Sequence, residues 1–121
     1  VKRPNKEQSK KQVNSYIEIA KQYIRKNYDK QITVEDVAKA CGLSKQYLQR
    51  LFKREKDTCV VSYIVKHRIE QACRYLLSTD YAVSKVASLV GFNDLKYFYI
   101  KFKNIVGCTP IEYKEKFGGQ K

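Results

Sequence analysis

Apolar residues recur along this chain every three or four positions, which is the spacing of amphipathic helices. No segment alternates between apolar and polar residues for long enough to predict a strand. The longest apolar face falls within residues 60–78. A first apolar stripe predicts a helix that ends near residues 28–30, and its members are Val13, Ile17, Ala20 and Ile24. The pattern therefore predicts an all-α fold.

Two stretches of the chain repeat one motif, which is a short helix, a glycine turn and a second helix. The apolar positions of the short helix are Val34, Val37, Ala38 and Cys41 in one copy and Val83, Val86, Ala87 and Val90 in the other. Gly42 or Gly91 follows at once, and the second helix carries Phe52 or Phe102. The two phenylalanines lie one residue further apart than the two glycines, so the second turn holds an extra residue.

Polar residues and glycine mark where the repeated helices begin and end. Thr33 and Asp36 resemble a capping box that opens the first short helix, and Gly42 predicts a left-handed cap at its end. Ser44 is the predicted cap of the next helix, and Asn93 takes the same place in the second copy. Gly107 then ends the last long helix. A short terminal helix is predicted from Pro110 through Phe117.

Lysine and arginine number 25 against 12 acidic residues in a chain of 121, which gives a formal net charge of +13. This excess favours a polyanionic partner, either nucleic acid or an anionic membrane surface. No apolar run approaches the roughly 20 residues that span a bilayer, and no signal peptide is evident, so we expect a soluble, cytoplasmic protein. Because the chain contains no methionine, we also expect it to be a piece of a longer protein with a sensor or receiver domain.

The sequence offers no candidate catalytic or metal-binding group. The only histidine, His67, has no cysteine, aspartate or histidine at ligand spacing and is interpreted as a surface or interfacial residue. Four widely spaced cysteines without a C-x-x-C pair are interpreted as core or near-core residues of a reducing compartment: Cys41, Cys59, Cys73 and Cys108. We therefore expect no enzyme activity, no bound metal and no cofactor.

The second helix of the first copy separates apolar from polar residues. At about 100° per residue, Leu48, Leu51 and Phe52 fall on one side and must face the core. The other side carries Gln46, Gln49, Arg50 and Lys53. Amides pair with the adenine edge, guanidinium with guanine and lysine with phosphate, so this face suits a DNA major groove. For one helix alone, an ordinary solvated face explains the pattern equally well.

The second helix of the second copy presents apolar residues where polar ones are expected. We predict that Phe98, Phe102 and Ile105 form its core side. Its outer side carries Leu95, Lys96, Tyr99, Ile100 and Lys103. One explanation is contact between Ile100 and thymine methyl groups, with Tyr99 on a phosphate. The other, which is favoured, is that Ile100 packs on a neighbouring element.

The helix predicted over residues 60–78 lies between the two copies and links them. Arg68 on this helix is a candidate phosphate contact, since a cation there is positioned to reach the DNA backbone between two readers. An ordinary surface arginine explains the residue nearly as well, so both interpretations stay open.

Four runs of sequence resemble the AraC/XylS family of bacterial transcription regulators: AKACGLSKQYLQRLFKRE at 38–55, YIVKHRIEQACRYLL at 63–77, VASLVGFNDLKYFYIKFK at 86–103 and GCTPIEY at 107–113. The resemblance covers about residues 12–117 and implies seven helices in two homeodomain-like helix-turn-helix lobes, joined by the long helix. It also implies that both recognition helices enter successive major-groove segments of one duplex, roughly 34 Å apart.

The resemblance implies that base readout by the first recognition helix maps onto Lys45, Gln46, Gln49 and Arg50. It maps the second recognition helix onto Leu95, Lys96, Tyr99 and Ile100. The caps and outer faces of the two helices add Ser44, Lys53, Asn93 and Lys103 to the predicted DNA contacts. Two positions depart from the family pattern, which commonly has arginine at Ile100 and glycine at Asp57. The second departure predicts a different turn before the linker helix.

The predicted organisation is an arm at residues 1–11, lobe one at about 12–57, the linker helix at about 60–78, lobe two at about 79–117 and a tail at 118–121. The leading hypothesis is sequence-specific binding of double-stranded DNA by a transcription activator. Expected partners are RNA polymerase and a sensor or dimerisation domain in the parent chain, with no membrane. The alternative is a basic helical module that binds RNA or an acidic protein without reading bases.

Overall fold

The computed structural model describes residues 6–118, with side chains from residue 11 onward. Within this range the chain forms helices and no strand, which confirms the all-α prediction. The helices are α1 (Lys6–Asn27), α2 (Val34–Cys41), α3 (Lys45–Lys56), α4 (Val60–Ser78), α5 (Val83–Leu89), α6 (Leu95–Val106) and α7 (Pro110–Tyr113), and α7 continues into a π-helical segment (Lys114–Gly118). Residues 1–5 of the expected arm and 119–121 of the expected tail lie outside the described residues.

Helix α1 begins at Lys6, several residues before the apolar stripe that starts at Val13. Residues 6–11 are therefore helical, where an arm was predicted from their polar composition. Lysine, glutamine and glutamate are good helix formers, which agrees with a helix that begins before the apolar stripe. Within the stripe, Ile17 and Ile24 are almost fully buried.

The chain divides into two compact units. The first comprises residues up to Asn27 together with Ile32–Tyr63, and the second comprises Tyr28–Gln31 together with the residues from Ile64 onward. Helix α4 contributes its first turn to the first unit and the rest to the second. The short connection at residues 28–31 belongs to the second unit, although it lies between two helices of the first. The predicted lobe boundaries did not anticipate this division.

Each unit has its own apolar core. Fully buried side chains of the first unit are Ala20, Ile24, Val37, Leu48, Leu51, Phe52 and Val60. The buried side chains that form the core of the second are Val65, Ile69, Ala72, Leu76, Val86, Ala87, Val90, Phe92, Phe98 and Phe102. Three aromatic rings, those of Phe92, Tyr99 and Phe102, pack around Phe98, and Phe92 meets it edge-on at 5.0 Å between ring centroids. The core of the second unit is therefore the more aromatic of the two.

The first repeat has the caps that its sequence predicts. The Thr33 hydroxyl accepts from the Asp36 amide at 3.1 Å, and the Thr33 amide donates to the Asp36 carboxylate at 2.9 Å, which completes a capping box. Gly42 is left-handed, with φ 71° and ψ 28°. The Ser44 hydroxyl accepts from the Tyr47 amide at 3.2 Å and caps α3.

The second repeat is capped one residue later than predicted. The carboxylate of Asp94, not the amide of Asn93, accepts from the Tyr97 amide at 3.2 Å. The reason is the extra residue in the second turn. Asp94 caps α6 three residues after Gly91, whereas Ser44 caps α3 two residues after Gly42. Asn93 is the additional residue, and its side chain is free of capping.

The last turns of α3 and α6 both end in a left-handed residue. Gly107 has φ 99°, and Asp57 has φ 52° and ψ 35°. The prediction of a different turn at Asp57 is therefore wrong. Aspartate takes the conformation that glycine favours, since its short polar side chain tolerates the left-handed region better than most side chains do.

The end of the chain follows the predicted helix, with one correction. Thr109 and Glu112 form a second capping box at the start of α7, and the helical path continues past Phe117, as predicted. Ile105 was placed on the core side of α6, yet 42% of its surface is exposed. It lies in the last turn of α6, just before the cap at Gly107, where the neighbouring Val106 packs on the core instead.

Candidate nucleic-acid interface

Helix α3 presents a polar face opposite a fully buried one. Leu48, Leu51 and Phe52 are the buried side, and they anchor the helix in the core of the first unit. The exposed side carries Gln46, Gln49, Arg50 and Lys53, and Ser44 at the cap is also exposed. The polar face predicted from helical spacing is therefore present and accessible.

Positive charge dominates α3. Its last turn carries Lys53, Arg54 and Lys56, and its first turn has no acidic residue. The Arg50 guanidinium lies 5.7 Å from the ring centroid of Tyr47, which is a cation–π contact within the helix. A cationic helix with amide side chains at its centre combines attraction to phosphate with donors and acceptors for base edges.

Lys45 already has an anionic partner within the first unit. Its ammonium lies 2.8 Å from the carboxylate of Glu35 on α2. The hydrogen bond from Lys45 lowers the pKa of the Glu35 carboxyl, and backbone donors at the start of α2 add to this effect. A phosphate that contacts Lys45 must therefore compete with Glu35. Both side chains are well exposed, so the ion pair is weak and this competition is easy.

Helix α6 presents an exposed face of mixed character. Phe98 and Phe102 are fully buried and anchor the helix. Ile100 is 50% exposed and Leu95 is 42% exposed, beside the exposed cations of Lys96 and Lys103. The favoured interpretation of Ile100, as a residue packed on a neighbouring element, therefore does not hold. Two exposed aliphatic side chains flanked by lysines form the face that α6 offers.

Tyr99 is less accessible than predicted. It is half-buried, it packs against the core of the second unit and its ring meets Phe98 edge-on at 6.1 Å. Helical spacing placed it on the outer side, but its position between the core and the exposed face leaves only part of the ring in solvent. Asn93, before the start of α6, is exposed, and its amide nitrogen lies 3.5 Å from the Gln31 side-chain oxygen.

Arg68 directs its guanidinium at backbone carbonyls of its own unit. Its Nε donates to the carbonyl of Tyr28 at 2.7 Å, and one terminal nitrogen donates to the carbonyl of Lys30 at 2.8 Å. The guanidinium also lies 5.9 Å from the ring centroid of Phe92. Burial lowers the pKa of Arg68. Arg68 therefore makes hydrogen bonds that hold its own unit together. Neither sequence interpretation, as a phosphate contact or as a surface arginine, anticipated this role.

Gln31 is a residue of this region that sequence reasoning missed. Its side-chain nitrogen donates to the carbonyl of Gly91 at 2.9 Å, across sixty residues of chain. Helical periodicity carries no information about a pair in two turns, so no local signal could have identified it. His67 lies nearby with its ring edge-on to Tyr28 at 5.0 Å, as a partly buried residue of this same unit.

The remaining chemistry of the described residues is sparse. Within residues 6–118 no group of histidine, cysteine and acidic side chains is arranged to hold a metal ion. None of the described helices has the length and hydropathy needed to cross a membrane. Cys41 is buried, and burial raises its pKa. Cys59 is exposed, contrary to the core interpretation, because it precedes α4 and its sulfur accepts from the Ser62 amide at 3.4 Å.

Comparison with known proteins places this fold in a family. Residues 37–116 match the family described as a helix-turn-helix domain. AdaA of Bacillus subtilis, named as a bifunctional transcriptional activator and DNA repair enzyme, is 31% identical over 102 residues, which are 84% of this chain and 48% of AdaA. The xylose operon regulatory protein of Escherichia coli K12 is 33% identical over 96 residues, which are 79% of this chain and 24% of that protein.

A solved structure supports the same placement. The C-terminal domain of AraT, a response regulator from Geobacillus stearothermophilus, superposes with a TM-score of 0.79 at 32% identity, covering 84% of each chain. The chain spans less than half the length of the two relatives above. Since the family match extends over both repeats and the helix between them, the chain belongs to the AraC-type helix-turn-helix family of transcription regulators.

Proposed function

We propose that this chain is a DNA-binding domain of a bacterial transcription regulator and that it binds double-stranded DNA in a sequence-specific way. The observation that carries the proposal is the exposed face of α3, where two amides and two cations stand opposite a fully buried apolar side. Membership of the AraC-type family supports it. The excess of positive charge supplies the attraction to the phosphate backbone.

In this proposal α3 reads bases with polar groups. Gln46 and Gln49 present amides that pair with the adenine edge, and Arg50 presents a guanidinium that pairs with guanine. Lys45 and Lys53 contact phosphates, and Ser44 at the cap adds a hydroxyl near the backbone. Bidentate pairs of this kind each contribute about 1 to 3 kcal/mol of discrimination against a wrong base.

Helix α6 reads its groove mainly through apolar contacts. In this proposal Leu95 and Ile100 contact thymine methyl groups, which project into the major groove, and Lys96 and Lys103 contact phosphates. Tyr99 and Asn93 add polar contact at the margin. Two such helices reach successive major-groove segments when they are about one turn of duplex, roughly 34 Å, apart.

The wider role is that of an activator whose other parts lie elsewhere in its parent protein. We propose RNA polymerase as a partner of the DNA-bound protein, and a sensor or dimerisation domain in the remainder of the parent chain. The names of AdaA and of the xylose operon regulatory protein support a regulatory role. We assign no reaction to this chain, since the repair activity in the name of AdaA belongs to that protein.

Selection from random pools tests the proposal. The chain is incubated in parallel with a pool of random duplex DNA and a pool of random RNA at the same salt concentration, and bound molecules are sequenced. The expected result is enrichment of a duplex motif with two blocks spaced by about one helical turn. Enrichment from the RNA pool alone, or no enrichment from either pool, would overturn the proposal in favour of a module that binds RNA or an acidic protein.

A further inference from the structure

The connection between α1 and α2 is built into the second unit, although its neighbours in sequence belong to the first. Tyr28 packs against the core of the second unit, and residues 28–31 form part of that unit. Arg68 of α4 holds this connection by donating to the carbonyls of Tyr28 and Lys30 at 2.7 and 2.8 Å. A planar guanidinium presents both donors in a fixed fork, so the two carbonyls are held at once.

The same connection touches the turn before α6. A Cβ atom added to Gly91 would lie 2.5 Å from the Tyr28 carbonyl oxygen and 2.9 Å from the Arg68 Nε. Gly91 is also left-handed, with φ 100°. The turn and the connection are therefore in direct contact, and only a residue without a side chain permits this approach.

Gln31 contacts two residues of this turn, Gly91 and Asn93. Its nitrogen donates to the Gly91 carbonyl at 2.9 Å, and its oxygen lies 3.5 Å from the amide nitrogen of Asn93. Asn93 is the extra residue that distinguishes this turn from the first one. The next residue, Asp94, caps α6. A continuous chain of contacts thus runs from Arg68 through residues 28–31 to Asn93, the residue before the cap of the second recognition helix.

We infer that Gln31 and Arg68 are positioning residues for α6, which fix where the second recognition helix enters the major groove without themselves touching DNA. The inference rests on the proposed function. Arg68 acts through the carbonyls of Tyr28 and Lys30, and Gln31 acts through the Gly91 carbonyl and Asn93. The sequence specificity of the second helix then depends on Gln31, which lies before the first helix-turn-helix motif, and on Arg68, which lies on the helix between the two motifs.

Substitutions separate this role from a phosphate contact. A phosphate contact survives Arg68→Lys, whereas the fork on two carbonyls does not, because a lysine ammonium is a compact point charge. We expect Arg68→Lys and Arg68→Ala to behave alike. Gln31→Ala provides a milder variant without any change of charge. Lys66→Ala, an exposed cation on α4, and Gln22→Ala, an exposed amide on α1, are the matched controls.

The readout is the base-by-base preference of each variant, obtained by selection from the random duplex pool. Arg50→Ala, which alters α3, first assigns which block of the parent motif belongs to the first helix. We expect Gln31→Ala and Arg68→Lys to weaken preference in the other block by about threefold to tenfold, in line with the loss of one or two hydrogen bonds, and to leave the first block unchanged. The salt slope of binding should stay the same.

Several outcomes overturn the inference. A uniform loss of affinity in Arg68→Ala, with a salt slope smaller by about one and no loss in Arg68→Lys, would make Arg68 a phosphate contact. An unchanged second block in Gln31→Ala and Arg68→Lys, both folded by circular dichroism, would show that these residues do not position α6. If the parent chain itself selects no motif, the proposed function fails first, and the two failures are thus distinguishable.

Discussion

The two glycine turns follow the same helix pattern but need glycine for different reasons. Gly42 is left-handed, and nothing lies within 4 Å of the position where its Cβ would be. Gly91 is left-handed as well, but the same position is filled by the Tyr28 carbonyl and the Arg68 guanidinium. The first turn therefore requires glycine for its backbone conformation alone. The second turn requires glycine also because neighbouring atoms pack closely against it. The two copies of the motif therefore differ in how tightly their turns are packed.

The two recognition helices also differ, in the kind of side chain that each exposes. Exposed polar groups occupy the face of α3, whereas Leu95 and Ile100 are exposed on α6. The helix with the tightly packed turn is the one for which we propose apolar readout. Apolar contact has little directional character and depends on how closely two surfaces fit. A hydrogen bond to a base edge is directional and therefore helps to orient the side chain that makes it. A helix that reads methyl groups gains more from a fixed position, which is consistent with positioning by Arg68 and Gln31.

The largest expected effect separates the two turns. Gly91→Ala should lower the free energy of unfolding by about 2 to 5 kcal/mol, because left-handed strain adds to overpacking against backbone. Gly42→Ala should cost only about 1 kcal/mol, since open space surrounds it. Urea unfolding of both variants measures the difference. Gly91→Val should prevent the second unit from folding, and equal losses for the two alanine variants would refute the distinction.

Base readout by α3 is tested by Arg50→Ala. We expect a loss of about 1 to 3 kcal/mol in binding to the selected duplex, with relaxed preference at one base position, because a bidentate contact with guanine is removed. Fluorescence anisotropy on duplexes that vary at each position measures this loss. Arg54→Ala, in the last turn of the same helix, is the control and should weaken all duplexes uniformly. A uniform loss for Arg50→Ala as well would make Arg50 a phosphate contact.

Apolar readout by α6 is tested by a cycle of two changes. Replacing thymine by uracil in the second block removes one methyl group and should cost about 0.8 kcal/mol with the parent chain. The same replacement should cost nothing further with Ile100→Ala. Binding of both proteins to both duplexes gives the coupling between the two changes. Ile111→Ala, equally exposed on α7, is the control, and additive effects for Ile100→Ala would rule out the methyl contact.

The ends of α3 and α6 provide a matched pair of left-handed caps. Asp57→Gly should raise the free energy of unfolding by about 1 kcal/mol, because glycine takes this conformation without strain. Gly107→Asp should lower it by a similar amount. Urea unfolding measures both. If Asp57→Gly destabilises the protein, the aspartate must contribute more than its long, exposed ion pair with Lys53 indicates.

The smallest expected effect is a pH dependence at the second capping box. Hydrogen bonds from the Thr109 amide and hydroxyl lower the pKa of Glu112 in the folded chain. Its stabilisation is therefore complete above the unfolded pKa and is lost as pH falls through the lower, folded value. Thermal unfolding at pH 6 and pH 3 should show a smaller acid-induced loss in Glu112→Gln than in the parent. Glu115→Gln is the control, and an identical loss in Glu112→Gln would contradict the cap's contribution.

Much of the local structure followed from the sequence because its causes are local. Helical spacing placed the buried sides of α2 and α3, and short polar caps at Thr33 and Ser44 set where these helices begin. The predicted cap of α6, Asn93, was wrong by one residue. Asn93 and Asp94 are both suitable capping residues, and only the geometry of the turn selects Asp94. The turn at Asp57 was predicted wrongly, because an aspartate that replaces glycine can keep the left-handed backbone conformation.

The interactions that hold the second turn did not follow from the sequence. Gln31 and Gly91 are far apart in the chain, and Arg68 looked like an exposed cation beside Lys66. Their contacts depend on tertiary packing, which periodicity does not encode. The exposure of Ile105 could not be predicted either, because a residue on the apolar side of a helix is buried only where another element covers it. Tertiary packing also decides whether an apolar residue on the outer side, such as Ile100, meets a neighbouring element.

A competition between two duplexes tests whether the chain binds DNA in a sequence-specific way. The selected duplex and a scrambled duplex of the same composition are titrated with the parent chain at salt concentrations between about 50 and 200 mM. Our account predicts tighter binding to the selected duplex by about a thousandfold or more, with affinity falling steeply as salt rises. Equal affinity for the two duplexes at every salt concentration would contradict it.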